Sequence, residues 1–210
     1  MKVMNMVQAI NSALENALTE NENCVLYGED VGLEGGVFRV TAGLQEKFGE
    51  KRVFDSPLAE SGIVGTAVGM AATGLKPIVE MQFSGFSYHS FHQVINQVAR
   101  MRNRTRGKYT APIVIRMPYG GGIKAPEHHS ESMEVLYAAI PGLKVVIPSS
   151  PHDAKGLLIS AIRSEDPVVF MEPKRLYRSI KQEVPEEAFS IPLGKARVVQ
   201  EGKDVSLLCY

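Results

Sequence analysis

The sequence predicts an α/β protein with a mostly parallel sheet and helices on both faces of that sheet. Short apolar runs alternate with helical segments from residue 5 to residue 171, as in parallel strands joined by crossover helices. The runs are almost continuously apolar, which is typical of strands buried on both faces. With 44% hydrophobic and 22% charged residues among 210, the chain can bury a sizeable core.

The order of elements follows from caps and periodicity. Asn5 and Gln8 have the spacing of a capping box, and apolar residues on one face then predict a helix over 5–20. Ser150, Pro151 and Asp153 are a cap, a first-position proline and a first-turn acid, so they predict another helix start. Further helices are predicted at 41–48, 60–74, 87–106 and 130–139, and strands at 24–27, 52–54, 77–81, 112–117, 144–147 and 168–171.

The helix predicted at 60–74 is unusually rich in glycine. Each glycine costs a helix about 0.8–1 kcal/mol relative to alanine, so another interaction must compensate. We expect the backbone of this helix to lie close to another element or a ligand. The run Gly120-Gly121-Gly122 lacks the strand and helix context of a nucleotide-binding loop, so it predicts no phosphate site.

The alternating pattern ends after Glu172. Residues 173–192 are polar and contain prolines, which is typical of a linker. Residues 195–199 and 205–210 flank a turn and predict a β-hairpin. We therefore expect one domain over 1–190 and, at 191–210, the first hairpin of a truncated C-terminal domain.

Charge and composition disfavour several classes of protein. The 23 basic residues balance 23 acidic ones, and zero net charge argues against general binding to nucleic acid or anionic membrane. Dipole compensation and a solvated face explain the basic run 100–108 adequately. No apolar stretch approaches the roughly 18 residues of a membrane span, and residues 1–10 do not resemble a signal peptide. Cys24 and Cys209 do not indicate a disulfide scaffold or a zinc site. We expect a cytoplasmic protein.

Three features are candidates for chemistry, and each also has a plain structural explanation. Glu60 opens the glycine-rich helix, where it either answers the helix dipole or, partly desolvated at a sheet edge, shares a proton with a ring nitrogen. His129 lies in a loop, either simply solvated or near reacting groups. Phe83, Phe86 and Phe91 are either core residues or a surface on which a flat heterocycle packs.

Taken in order, several motifs make the chain resemble a known family. The β subunits of the decarboxylase component of 2-oxo acid dehydrogenases, of the branched-chain or pyruvate type, carry similar motifs in the same order. The stretches concerned are YGEDV at 27–31, VFDSPLAESGI at 53–63, RMPYG at 116–120, HS at 129–130, PGLKVVIP at 141–148 and DAKGLL at 153–158.

The resemblance implies a pyrimidine-binding domain of the transketolase type, which forms one wall of a thiamine diphosphate site. In such enzymes an α subunit supplies the other wall and the Gly-Asp-Gly motif that holds Mg²⁺ and the diphosphate. No Gly-Asp-Gly occurs in this chain. The resemblance therefore implies an obligate α subunit in an α2β2 heterotetramer, and a lipoyl acyltransferase core as a further partner.

The resemblance also implies roles for four residues. Glu60 matches the glutamate whose carboxyl group hydrogen-bonds the aminopyrimidine ring and activates the cofactor. Phe86 matches an aromatic residue that packs on the pyrimidine, and His129 matches a loop histidine that faces the reaction centre. Glu29 matches an acidic residue behind the pyrimidine, in a proton path between paired sites.

The chain departs from the family at two positions, and one ion is left open. His89 stands where many members have an acid, and His92-Gln93 where they have Asp-Gln. The first difference puts an acidic relay in doubt, and the second affects a structural or subunit contact. Some members bind a structural K⁺ through backbone carbonyls near positions such as Ile113, Ala161 and Asp166, a set without a side-chain signature.

The implied activity is decarboxylation of a 2-oxo acid and reductive acylation of a lipoyl group. The phrase FMEPKRLY at 170–177 favours a branched-chain substrate over pyruvate. Two alternatives remain at this point. A β subunit of acetoin dehydrogenase would share every motif, and a non-catalytic assembly subunit would share the fold but would not need Glu60 and His129.

Overall fold

The computed structural model describes residues 1–210 and confirms the α/β class, with a six-stranded, fully parallel sheet. The strands are β1 (Lys2–Asn5), β2 (Cys24–Gly28), β3 (Val53–Asp55), β4 (Lys76–Glu80), β5 (Val114–Tyr119), β6 (Lys144–Val146), β7 (Val168–Pro173) and β8 (Lys181–Val184). The sheet order is β3-β2-β4-β5-β7-β6, and β1 pairs separately with β8. All six carboxyl ends in the large sheet therefore lie along one edge.

Helices connect the strands. They are α1 (Met6–Glu20), α2 (Leu44–Phe48), α3 (Glu60–Ala72), α4 (Phe91–Gln93), α5 (Met101–Arg104), α6 (Glu134–Ala138) and α7 (Pro151–Arg163). Both predicted caps are confirmed. The Asn5 side chain accepts from the Gln8 backbone N–H while the Gln8 side chain accepts from the Asn5 N–H, and Ser150 caps α7 at the Asp153 N–H.

The sheet is the middle of three layers. On one face α1 and α7 pack against apolar side chains such as Leu26, Ile78 and Phe170. On the other face α3, the 84–104 segment and α6 pack against the alternate side chains of the same strands, among them Val79 and Met117. Because successive strand residues point to opposite faces, the continuous apolar runs in the sequence supply both cores.

The single helix predicted over 87–106 is divided in the structure. A 3₁₀ turn over Ser84–Ser90 leads into α4, a π turn follows over Val94–Val98, and α5 ends the segment. The serine hydroxyls explain the tight first part, because Ser87 donates to the Ser84 carbonyl at 2.5 Å and Ser90 to the Ser87 carbonyl at 2.9 Å. Such side-chain bonds compete with the regular α-helical ladder.

The predicted linker at 173–192 is an ordered part of the domain. It contains β8, which pairs antiparallel with β1, and residues 185–186 are held by the ammonium of Lys155. That group donates to the carbonyls of Pro185 and Glu186 and to the Ser12 hydroxyl. Sequence reasoning missed β8 because its partner, β1, lies almost the whole chain away.

The hairpin predicted at 195–210 does not form in this structure. Residues 195–210 contain no strand, and Val198, Val199, Val205 and Leu207 are exposed. An isolated two-stranded hairpin is marginally stable in water unless it has an apolar surface on which to pack. The division of the chain near residue 190 stays a prediction. Among the helices, none is both long and apolar enough to cross a bilayer.

Candidate active site

The sequence-predicted site residues all follow strands at the carboxyl edge of the sheet. Glu29 comes directly after β2, and Glu60 opens α3 after β3. Phe86 lies in the 3₁₀ turn after β4, and His129 lies in the long loop after β5. Ligands in open parallel sheets bind outside the carboxyl ends of the strands, so this edge is the expected place for a site.

Glu29 and Glu60 form a carboxylate pair at this edge, each only 6% exposed. Burial, followed by the charges of Glu60 and Asp30, raises the pKa of Glu29 to about 7, while the backbone N–H of Ala59 acts in the opposite direction. The Oε1 atom of Glu29 is buried and has no hydrogen-bond partner in the chain. Buried polar atoms are normally satisfied, so this atom is suited to a ligand that brings a polar group.

The loop that carries Glu29 is fixed to the neighbouring strand and to itself. Asp55, the last residue of β3, accepts a hydrogen bond from the Gly32 N–H at 2.6 Å. The buried hydroxyl of Thr41 donates to the Val31 carbonyl at 2.7 Å. The loop that carries Glu29 is therefore closed by contacts with β3 and with its own backbone.

His129 and two phenylalanines form a second group at the same edge. The imidazole ring lies edge-to-face against Phe86, with 5.0 Å between centroids, and against Phe83, with 4.5 Å. Nδ1 is 3.0 Å from the Glu127 carbonyl oxygen. Because a carbonyl can only accept, Nδ1 carries the proton in that bond, and Nε2 of the neutral ring is left as an acceptor.

The loop that carries His129 packs closely on the turn that carries Phe86. A Cβ on Gly85 would overlap the His128 carbonyl oxygen, so only glycine permits this approach. Ser84 donates to the Glu131 carbonyl at 2.8 Å, and Gly120 donates to the same carbonyl at 2.9 Å. The turn that carries the two phenylalanines and the loop that carries His129 are thus held together by backbone contacts.

One contact joins the two groups. Ser61, next to Glu60 in α3, donates its hydroxyl to the backbone carbonyl of His89 in the turn that carries Phe86. The four predicted residues therefore lie as two pairs on connected elements of one edge. Neither His89 nor His92, the two departures from the family pattern, is buried.

Sequence reasoning missed Lys174 as a site residue and left Phe83 between core and site. Lys174 is 7% exposed and donates to the His129 carbonyl at 2.7 Å. A signal existed in the sequence, because Lys174 directly follows a buried apolar strand and so had to fall at the carboxyl edge.

A cavity of about 640 Å³ lies away from this site. It opens at the amino edge of the sheet, beside the residues that precede β5 and β7, and its charged lining consists of Arg102, Arg106, Lys144 and Asp166. No group of three or more His, Cys, Asp and Glu side chains is placed to hold a metal. The carbonyls of Ile113, Ala161 and Asp166 each accept a hydrogen bond within the chain.

The chain also resembles known proteins in fold. A tetrameric protein described as "Split gene transketolase, inactive beta4 tetramer" superposes with a TM-score of 0.64 at 19% identity, over 80% of this chain and 50% of the other. At that identity the likeness supports the fold alone.

Curated relatives are much closer in sequence. Pyruvate dehydrogenase E1 component β subunits are 59% identical over 210 residues in Acholeplasma laidlawii, 57% over 210 residues in Bacillus subtilis and 54% over 207 residues in Mycoplasma genitalium. The matches cover 99–100% of this chain but only 64–65% of those proteins.

The names of the relatives bear on the expected type of substrate. The branched-chain preference inferred from residues 170–177 is not supported, since these relatives are named for pyruvate. The family model for the transketolase pyrimidine binding domain matches residues 2–180. The chain therefore belongs to the transketolase pyrimidine-binding domain family and is similar to pyruvate dehydrogenase E1 β subunits.

Proposed function

We propose that this chain acts in the β subunit of a thiamine diphosphate-dependent pyruvate dehydrogenase. Its reaction is the decarboxylation of pyruvate and the reductive acetylation of a lipoyl group. The observation that carries the proposal is the buried Glu29–Glu60 pair at the carboxyl edge, in a chain 59% identical to a pyruvate dehydrogenase β subunit.

The residues at this edge fit the pyrimidine end of the cofactor. The ring presents nitrogen atoms that need a proton donor or acceptor, and the unpartnered Oε1 atom of Glu29 and the carboxyl group of Glu60 lie at the same edge. Phe86 offers an aromatic ring on which a flat heterocycle packs. When bound, thiamine diphosphate supplies the carbon nucleophile and electron sink for decarboxylation.

Each side chain then has a defined task. Glu60 holds a proton against a pyrimidine ring nitrogen, and Glu29, with its pKa raised to about 7, exchanges protons behind it. His129 keeps its Nε2 atom free to accept or return a proton near the substrate, because Nδ1 is engaged by the Glu127 carbonyl. The chain orients the reacting groups, and the carbanion chemistry belongs to the cofactor.

The site also needs a partner. Without a Gly-Asp-Gly motif, the chain has no recognisable group for Mg²⁺ and the diphosphate, so we assign these to an α subunit in an α2β2 heterotetramer. A lipoyl acyltransferase core would receive the acetyl group. A cytoplasmic location belongs to the same proposal.

Glu60→Gln tests the proposal. The amide cannot hold and release a proton as a carboxyl group does, so we expect pyruvate turnover of the α/β complex to fall by about 100-fold or more. Assembly should be normal by size-exclusion chromatography. Turnover is measured with a lipoyl acceptor and saturating thiamine diphosphate.

Glu46→Gln is the matched control, because Glu46 is exposed on α2 and is not one of the site residues. It should keep wild-type turnover. Near-normal turnover of Glu60→Gln would contradict the proposal and leave the assembly-subunit alternative. The turnover rates on acetoin and on pyruvate distinguish an acetoin dehydrogenase from a pyruvate dehydrogenase.

A further inference from the structure

We propose that Lys174 is a positioning residue that holds the His129 loop in its working conformation. The inference rests on the proposed function, in which His129 acts near the substrate. It assigns a task to a buried cation that is not among the four residues marked by the family resemblance.

Lys174 reaches the His129 loop from the end of β7. The strand ends at Pro173, and the next residue turns its side chain into the protein, so that only 7% of the residue is exposed. The ammonium donates to the His129 carbonyl oxygen at 2.7 Å. The bond is therefore made to the backbone of His129, the residue whose imidazole acts in the proposed function.

Phe83 couples the ammonium to the imidazole. The Lys174 Nζ atom lies 5.3 Å from the centre of the Phe83 ring, within the range of a cation–π contact. The imidazole of His129 packs edge-to-face on the same ring. A displaced Lys174 therefore loosens His129 both at its carbonyl and at its ring.

The loop needs such a restraint. His128 has a φ of +67°, in the left-handed region that non-glycine residues rarely adopt, so the backbone beside His129 is strained. Ser84 and Gly120 hold the loop at the Glu131 carbonyl. Lys174 holds it at His129, between the strained residue and that second attachment.

The charge of Lys174 is sensitive to pH. Burial lowers the pKa of Lys174 to about 8. The titratable groups on the two segments packed against it are Tyr88 and His89 in the 3₁₀ turn, and Lys124, Glu127, His128, His129 and Glu131 in the loop. Burial alone accounts for the shift, so none of these charges offsets it. Above about pH 8 the amine is neutral and its bond to the carbonyl loses charge assistance.

Lys174→Met is the main test, in the assembled α/β complex, because methionine keeps most of the buried volume and removes the ammonium. Misplacement of a reacting group by about 1 Å can cost 100-fold in rate, so we expect lipoyl acetylation to fall by about 10- to 100-fold. The KM for pyruvate should change little. Lys181→Met, an exposed lysine on β8, is the matched control and should behave as wild type.

A double-mutant cycle with His129→Ala separates positioning from general damage. If Lys174 acts through His129, Lys174→Met should slow His129→Ala no further. If the two losses multiply, the inference is overturned.

Lys174→Arg gives an independent readout that does not depend on how well the methionine variant folds. The guanidinium stays charged above pH 8, so the acetylation rate of this variant should begin to fall at a higher pH than that of the wild type. An unchanged alkaline limb would overturn the inference. Inactivity of the wild-type complex on pyruvate would instead sink the proposed function, which keeps the two failures distinct.

Discussion

Glu29 is a carboxyl group whose surroundings disfavour its charge. It is buried, it lies near the charges of Glu60 and Asp30, and one of its oxygen atoms has no partner. Burial, followed by the two neighbouring charges, raises its pKa to about 7. At neutral pH the residue is therefore close to half protonated, which suits a group that passes protons.

This pKa predicts how stability depends on pH. Because the folded protein binds the Glu29 proton more tightly than the unfolded chain, the contribution of Glu29 to stability is present below pH 4.5 and is lost as pH rises to about 7. Glu29→Gln should remove this contribution to the pH dependence of the free energy of unfolding. The free energy of unfolding of both proteins, measured by denaturant at pH 5, 6, 7 and 8, checks it. A parallel pH dependence of the two proteins would contradict the prediction.

At this scale, motifs in the sequence indicated the residues but not their surroundings. Glu60 and His129 lie in recognisable sequence motifs, so both can be identified as candidate site residues from the sequence. The titration of Glu29 depends on Glu60, 31 positions away in the sequence, and the contact of Lys174 depends on a loop 45 positions earlier. Local patterns carry no information on such pairs.

At the scale of elements, the site depends on how closely the 3₁₀ turn approaches the His129 loop. A Cβ on Gly85 would overlap the His128 carbonyl oxygen and lie 2.8 Å from Glu131 Cγ. The helix glycines behave differently, because a Cβ on Gly69 would meet nothing within 4 Å. At this edge, Gly85 in the turn permits a close backbone approach. The α3 helix packs against that turn as well, and its expected approach to a ligand stays a prediction.

Gly85→Ala should push the His129 loop away from its place. We expect a loss of about 1–3 kcal/mol in the free energy of unfolding, as for other overpacking changes, and a marked loss of turnover. Gly121→Ala, in the His129 loop, is the control, because a Cβ there has open space and the backbone is not left-handed. Denaturant unfolding and turnover of both variants check the prediction; equal behaviour of the two would contradict it.

At the same scale, element type was more predictable than element continuity. The capped helices α1 and α7 formed as predicted, since both caps are set by residues three apart. The helix predicted over 87–106 divided into 3₁₀, α and π turns. Serine side chains and packing against α3 and the His129 loop decided that division. The hydrophobic periodicity of the sequence carries no information on these contacts.

At the scale of the whole molecule, a buried ion cluster ties the middle of the sheet together. Arg116 of β5 contacts Glu80 of β4 at 2.8 Å and Glu172 of β7 at 2.7 Å and 3.1 Å. The hydroxyl of Tyr177 donates to Glu172 at 2.6 Å. Three neighbouring strands and the segment after β7 therefore share one set of polar contacts inside the protein.

Arg116→Met should destabilise the protein strongly. It leaves two buried carboxylates without their cation, and breaking a buried pair in this way costs about 3–5 kcal/mol. Burial raises the pKa of Glu80, so the loss should shrink at acidic pH, where that carboxyl group takes up a proton. Arg102→Met is the control, because its pair with Asp166 is solvent-exposed and worth only about 0–1 kcal/mol. Denaturant unfolding measures both, and a similar loss for the two would contradict the prediction.

The sequence by itself determined the α/β class, the alternation of strands and helices, the caps of α1 and α7 and the candidacy of Glu29, Glu60, Phe86 and His129. The class, the alternation and the caps depend on composition and short-range spacing. The site residues depend on local motifs, and the candidacy of Glu29 rests on the resemblance of its motif to that of a known family. The tertiary structure alone decided the sheet order, the pairing of β1 with β8, the absence of a hairpin at 195–210, and the approach of Lys174 to His129. Each of these depends on residues far apart in the chain that folding brings together, and no local pattern encodes the free energy of that contact.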